Sequence, residues 1–527
     1  MTPAQTIPGL YFIAERRLQS VSPLRTDIAA FIGPTRRGTE SKVVRVEGWR
    51  GYVREFGGLP DRATLPYSIR GYFENGGEVA YVVRICGKDP ETAKDDWIVG
   101  EIDGTACWTS DSPTGFSRTA YEITASSPGS WANGLSVSIT YRNRGPASEP
   151  DADIRVLVQG ENVEHFAGVD PAAIDQEING RSVLIRMIPA GASVLSCPAT
   201  AGPARKTWEK RLNGGTDGRG GDYYSKYKDA LIQVGDEIEV ALVAIPGLWD
   251  HEVSNDERND LLHFAIDQAE QLRDRLVLVD LPRPKNNDAF RTYIKDAVAS
   301  VRALRSSLDT ASRAAALYHP SVWVLDPLNE IIAPLRAVPP SGHVAGVISR
   351  MDRERGAHHT PANGTLFDAV DPTETFKPPE QAQFNDEGVN LVRCFPGRGL
   401  QVWGGRTLET DKAGMYIAHR RLIHRLVRTI RRVADPLVFE TNGPELWLTI
   451  VRGITTVLLE AYRAGALKGA RPEEAFRVTC DATTTPVEEQ ELGRAFCAIE
   501  IAPAVPMEFI TLRVVLGGEG SLEVFEP

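Results

Sequence analysis

Three short apolar runs, EIEVALVAIPG (237–247), RLVLVDLP (275–282) and SVWVLDP (321–327), are separated by stretches of helical length, and this spacing constrains the fold more than any other feature of the chain. Their apolar residues are continuous rather than alternating, which is the pattern of strands buried on both faces. Helical stretches at about 256–273 and 288–306 lie between them, so the order predicts βαβ units, a mainly parallel sheet and helices on its faces, with right-handed crossovers. EVAYVVRIC (78–86) reads as another buried strand. No run approaches the roughly 20 apolar residues that cross a bilayer, and the N-terminus MTPAQTIPG lacks a signal-peptide pattern, so we expect no direct membrane insertion.

The remaining segments differ in character. Residues 87–215 are short strand candidates broken by Gly, Pro and Ser, with ANGLSVSITYR (132–142) alternating at period two, as in a β-rich insertion. GGTDGRGGDYY (214–224) reads as a loop. Helices are predicted at about 410–433 and 445–467, followed by strands at FRVTC (476–480), AFCAIEIAP (495–503) and MEFITLRVVL (507–516). At the two ends, PGLYFIAER (8–16) and SLEVFEP (521–527) are short, isolated apolar segments, each readable as an edge strand or an arm. With 527 residues, three or four domains are expected.

Motifs of chemistry are weak. GPTRRGTESK from Gly33 lacks the Lys-Ser/Thr of a phosphate loop, and GGTDGRGG from Gly214 does not fit the dinucleotide fingerprint. His251-Glu252 has no second His one turn later, and no G-x-S-x-G elbow is present. Asp280 and Asp326 end apolar strands, and with His343 they form the one hydrolase-like alternative, against which stands a structural role as caps and arginine partners. The six cysteines contain no C-x-x-C pair and read as reduced, buried small hydrophobes. No cofactor, metal or catalytic residue is expected.

One charged feature stands out. In the stretch from Met415, Arg421, Arg425, Arg428 and Arg432 recur at steps of four, three and four, while Ile423, Leu426, Val427, Ile430 and Val433 fill another side. This is either an ordinary solvated amphipathic helix or a positive ridge for an acidic partner. With a net charge of -11 and no helix-turn-helix partner or aromatic platform, nucleic acid is not the expected partner.

Several ordered blocks resemble the contractile tail sheath proteins of bacteriophages and phage-tail-like injection systems. They include PGLYFIAER, DIAAFIGPTRRG, FENGGEVAYVVRI, SPGSWANGLSVSI, VALVAIPG with DRLVLVDLP, VPPSGHVAGVISRMDRERGAHHTPAN (338–363) and FNDEGVNLVRCFPGRGLQVWGGRTL (384–408). VFETNGPELW, GALKGARPEEAFRVTCD and IAPAVPMEFITLRV complete the pattern. The resemblance implies an α/β (α+β multidomain) fold with a core built from N- and C-terminal parts. Its layout is an N-terminal arm (1–25), a first core part (26–95), a β-rich insertion (96–215), a central α/β domain (216–375), a C-terminal core domain (376–518) and a C-terminal arm (519–527).

It further implies a structural, non-enzymatic subunit that stacks with its own copies in rings, six-fold in the family, around an inner tube protein, between a baseplate and a terminal cap protein, and contracts. A different self-assembling lattice is the structural alternative. Arms exchanged between neighbours would map to Leu10, Tyr11, Phe12 and Ile13 and to Leu522, Val524 and Phe525, and the four arginines would face the tube. Assembly would take place in a bacterial cytoplasm, and the product would be part of a virion or a tail-like particle.

Overall fold

A computed structural model describes residues 24–525 except 61–62, 103–104, 110–116, 143–150, 170–173, 195–205, 219, 250–252, 282–289, 329–333, 412–413, 505–509 and 517–521. The chain forms two compact units, one spanning Thr26–Arg420 and a second described from Arg421 onward.

The first unit is organised by an eight-stranded sheet in the order Gly399–Trp403, Val389–Phe395, Ala315–His319, Leu276–Asp280, Leu242–Ala244, Ala29–Gly33, Val79–Arg84, Val43–Glu47. The inner pairings are parallel, and each edge strand is antiparallel to its neighbour. Alternation along the strands feeds two cores. Ala29, Phe31, Leu242, Ala244, Leu276, Leu278 and Tyr318 face one core, while Ala30, Ile32, Val243, Val277, Val279 and Leu317 face the other. The first is covered by helices Gly48–Phe56, Leu65–Glu74 and Ser341–Arg355, the second by Tyr223–Asp236, Asn255–Leu272, Phe290–Leu308 and Pro378–Asp386.

Two sequence expectations change here. The N-terminal segment joins the central region directly: Ala29 pairs with Leu242 and Phe31 with Ala244, so it is an inner strand of one sheet that also takes in Val389–Phe395 and Gly399–Trp403 from the expected C-terminal part. A boundary at 375/376 likewise fails, because Val389–Phe395 pairs with Ala315–His319. Second, SVWVLDP is not the next parallel strand. Val322–Leu325 joins a small antiparallel sheet with Leu335–Val338 and Asp371–Pro372, burying Val322 and Val324 but exposing Leu325. The parallel position goes to AALYH (315–319), which is wholly buried though less apolar.

Between Arg84 and Tyr223 the chain makes a closed excursion. Two four-stranded antiparallel sheets, Ile185–Val194/Ser117–Ala125/Lys94–Ile102/Thr105–Thr109 and Lys206–Arg211/Leu135–Arg142/Asp151–Val158/Glu161–Val169, share a core that includes Ile123, Val137, Ile139, Ile154, Val156 and Ile185. Entry and exit are stitched together: Glu91 N donates to Thr216 O (3.0 Å), Thr216 N to Glu91 O (2.9 Å) and Lys94 N to Asn213 O (3.0 Å). The glycine cluster makes this approach possible. Gly218 has φ +75°, and a Cβ there would lie 2.4 Å from Lys88 O. Arg84, 1% exposed, donates to Gly38 O, Pro128 O and Asp217 Oδ1 at 2.7, 2.8 and 3.1 Å, tying the excursion to the main sheet.

Helices Leu65–Glu74 and Ser341–Arg355 pack at close range through glycine. A Cβ at Gly342 would fall 2.3 Å from Ser68 O, and one at Gly346 would fall 2.4 Å from Tyr72 O. Gly342→Val therefore forces backbone apart rather than a side chain aside. We expect a loss of about 1–3 kcal/mol in a denaturant titration; unchanged stability would mean that the helices do not touch there.

Candidate assembly surfaces

The polar residues at the strand ends are structural. Asp280 is buried and accepts hydrogen bonds from Ser341 N (3.0 Å) and Ser341 Oγ (2.6 Å), which fixes the start of the Ser341–Arg355 helix to the end of a central strand. Burial pushes its carboxyl up to about 7, and the two Ser341 hydrogen bonds oppose that shift. Asp326 accepts from Tyr67 Oη (2.7 Å), Arg336 Nε (3.0 Å) and Leu328 N (3.1 Å). Burial disfavours its charge, yet these three donors outweigh burial and hold it below the usual carboxylate range.

His343 is fully buried against Gly71, where a Cβ would lie 2.3 Å from the ring. Burial pushes the imidazole down to about 4. Its Nε2 lies 3.4 Å from Asp368 O, and its Nδ1 has no partner among the described residues. Asp280, Asp326 and His343 thus hold three separate joints and do not converge on one reaction centre. Among the described residues, no group of three His, Cys, Asp or Glu side chains could hold a metal ion, and no helix is long and apolar enough to cross a membrane.

The arginine stripe lies on helix Ile417–Ala434, and its geometry corrects the expected ridge. Leu422, Ile423, Leu426, Val427 and Ile430 pack with Trp447, Ile450, Ile454 and Leu458 of helix Pro444–Arg463, as an apolar face should. The opposite stripe is also covered over most of its length. Ile417, one turn before Arg421, is 0% exposed, and Arg421 and Arg428 are 3% and 2% exposed. Arg425 is half-buried, and only Arg432 is exposed. Four arginines on one stripe therefore do not make four surface charges: Arg421 and Arg428 are enclosed within the chain, and neither lacks a partner. Sequence reasoning passed over Arg420, which is 2% exposed and meets Glu270 at 2.8 Å, where Arg313 also binds at 2.8 Å. No spacing signal distinguishes it from the arginines beside it.

The expected arms divide. Leu10, Tyr11, Phe12 and Ile13 lie outside the described residues. Leu522, Val524 and Phe525 belong to strand Leu522–Phe525, which pairs antiparallel with Ile510–Leu516 of its own chain, Leu516 opposite Leu522 and Val514 opposite Val524. It is the edge strand of a local hairpin, with backbone partners on one side. The sheet runs Phe476–Thr479, Ala495–Ile501, Ile510–Leu516, Leu522–Phe525, and among the described residues both outer strands keep one side unpaired within it.

The buried carboxyl generates a prediction. Because its folded-state value lies above the ordinary one of about 3.9, Asp280 contributes stability that is complete below about pH 4 and is lost as pH rises to about 7. Between pH 5 and pH 8 the wild type should lose about 2 kcal/mol more than Asp280→Asn in matched denaturant titrations. Identical pH dependence in the two proteins would overturn this.

Comparison with known proteins places these features in context. Residues 219–408 match the model of the phage tail sheath protein central domain. A tail sheath protein of Vibrio phage KVP40 is 24% identical over 400 residues, covering 71% of this chain and 56% of the relative, so the chain spans little more than half of that protein's length. The sheath tail protein of Desulfitobacterium hafniense superposes with a TM-score of 0.62 at 13% identity, over 97% of this chain and 100% of the other. The helical sheath of the anti-feeding prophage in its contracted state superposes with a TM-score of 0.56 at 20% identity, over 96% and 98%. A sheath tail protein from Listeria innocua gives a TM-score of 0.63 at 12% identity, over 94% and 96%. The mixed α/β architecture is therefore that of the sheath fold, and within it residues 219–408 are similar to the central domain of phage tail sheath proteins.

Proposed function

We propose that this chain is the repeating subunit of a contractile sheath: copies stack as rings or a helix around an inner tube protein and shorten together to drive that tube through a target envelope. The observation that carries the reading is the likeness, over 96% of the chain, to a sheath whose structure is described in its contracted state. Its partners would be further copies of itself, the tube, a baseplate and a terminal cap. It would assemble in a bacterial cytoplasm and serve in a virion or a tail-like particle. The energy would reside in the assembled lattice and be released as subunits gain mutual contacts, so each copy acts through its surfaces.

Two surfaces suit that role. The unpaired sides of strands Phe476–Thr479 and Leu522–Phe525 can accept or donate a strand, linking neighbours through main-chain hydrogen bonds. Arg432, with half-buried Arg425 two stripe positions away, is what remains of the tube-facing candidates once Arg421 and Arg428 are enclosed. Exposed charge pairs are individually weak, which suits contacts that guide assembly and then break.

Negative-stain microscopy of the concentrated protein, alone and with its tube protein, should show hollow striated cylinders; monodisperse particles under both conditions would overturn the sheath reading. Reversing both charges, Arg425→Glu with Arg432→Glu, should weaken sheath–tube co-assembly by about tenfold or more, about 1.4 kcal/mol, and leave the monomer's melting curve within experimental error. Undiminished co-assembly would remove these two arginines from the tube contact.

A further inference from the structure

The two cysteines of the second unit stand opposite each other across one strand pairing. In the register of Phe476–Thr479 with Ala495–Ile501, Phe476 faces Ile501, Val478 faces Ile499 and Thr479 faces Ala498. Continued by one residue, the register sets Cys480 against Cys497. The period of two keeps both on the face of Val478 and Ile499, and both cysteines belong to the same buried core.

Directly opposed antiparallel residues have Cα atoms about 4.5–5.5 Å apart, inside the range of about 4.4–6.8 Å that a disulfide spans. The register is also held from the far side. Immediately after Cys480 the chain turns on Asp481, whose carbonyl accepts from Thr485 N (2.9 Å). Thr485, fully buried, then binds the backbone of Phe496, the residue before Cys497, accepting from its N at 2.9 Å and donating to its O at 3.3 Å. Each cysteine is thereby flanked by a fixed backbone contact.

We propose that Cys480 and Cys497 are a disulfide-forming pair, a modification site whose co-substrate is a low-molecular-weight disulfide such as oxidised glutathione. Both are free thiols in the structure described, and both are buried. The hydrogen bond to Cys480, and then burial, push the Cys497 thiol up, so it keeps its proton while Cys480, 9% exposed at the strand end, starts the exchange.

The Cys480 sulfur loses its proton and attacks the external disulfide, forming a mixed disulfide and expelling one glutathione thiolate. The Cys497 sulfur then gives up its proton and attacks the Cys480 sulfur, closing the internal bond and expelling the second. Two protein thiols are oxidised, one external disulfide is reduced to two thiols, and both protons pass to the departing glutathiones. The bond fastens the outer strand of the sheet to its neighbour. A chain leaving a reducing compartment would gain a staple beside one of the two edges on which partner strands can add.

The full-length protein, incubated for days at pH 8.5 in glutathione buffers from reduced to oxidised, is alkylated, digested without reductant and mapped by mass spectrometry. A parallel sample is refolded from denaturant in the same buffers, so that access to the buried thiols is not limiting. Expected is a linked peptide pair containing Cys480 and Cys497 in the oxidised buffers, with neither of these two thiols recovered alkylated. The link should disappear in Cys480→Ser, where Cys497 should be recovered alkylated. Exposed Cys394 should be capped by glutathione rather than bridged. Linkage in either sample supports the site. Recovery of Cys480 and Cys497 as free or separately glutathionylated residues in both samples at every ratio overturns it.

Discussion

The rest of the molecule depends on the pairing of Ala29–Gly33 with Leu242–Ala244. It inserts the first described strand into the middle of the main sheet, with Val79–Arg84 on its other side, and so requires everything in between to leave and return at one place. The entropic cost of closing so long a loop grows only with the logarithm of its length. The size of the excursion therefore matters less than how it is shut. Here the closure is made by paired backbone bonds between Glu91 and Thr216 and by Arg84, whose guanidinium joins Gly38, Pro128 and Asp217. Without these the two antiparallel sheets would hang from the main sheet by flexible chain. With them they are a fixed part of the same unit as the main sheet.

Arginine is the common internal tie in that body. Arg275, 1% exposed, donates to Val234 O at 2.6 Å and to Gly235 O and Glu237 O at 3.2 Å, with Asp274 at 2.8 Å. It thereby caps the end of helix Tyr223–Asp236 from within. Arg84 and Arg420 act similarly at other joints. A guanidinium offers five donors in a rigid plane, so it can satisfy several carbonyls that would otherwise be buried unpaired. Removing one partner of such a site costs more than its net contribution, because the other is left desolvated. In this chain, accordingly, a run of arginines is poor evidence for an exposed basic face. The stripe on Ile417–Ala434 shows the consequence, emerging from the interior only at Arg432.

What could be read in the sequence, and what could not, follows from locality. Leu242–Ala244 and Leu276–Asp280 announce themselves because burial on both faces leaves no polar residue among them except Asp280 at the end. AALYH is as buried but lies in the shadow of the more apolar VWVL just after it. Helix Leu65–Glu74, LPYSIRGYFE, carries a glycine inside it and is held chiefly by its approach to Gly342 and Gly346, nearly 280 residues away. Family resemblance located those glycines in a shared block, SGHVAG, without saying what they touch. The sheet order, the closure of the insertion, the burial of Arg421 and Arg428 and the opposition of Cys480 to Cys497 all depend on residues distant in the chain. No local pattern encodes them.

On the sheath reading, the two kinds of surface divide the work of contraction by their physics. Backbone bonds along a strand edge are directional and repeat every two residues, and a slip by one residue is opposed because it would turn every side chain to the other face. A neighbour joined at Phe476–Thr479 or Leu522–Phe525 would therefore remain joined while the rest of the lattice rotates about it. Charge pairs at an exposed residue such as Arg432 behave oppositely: they act over about 8 Å at physiological salt, tolerate misalignment and are lost by modest separation. A lattice connected by the first and poised by the second can change its pitch and radius without coming apart. Strength concentrated in the edges, with weakness left to the charges, is what lets a metastable assembly fire once and stay whole.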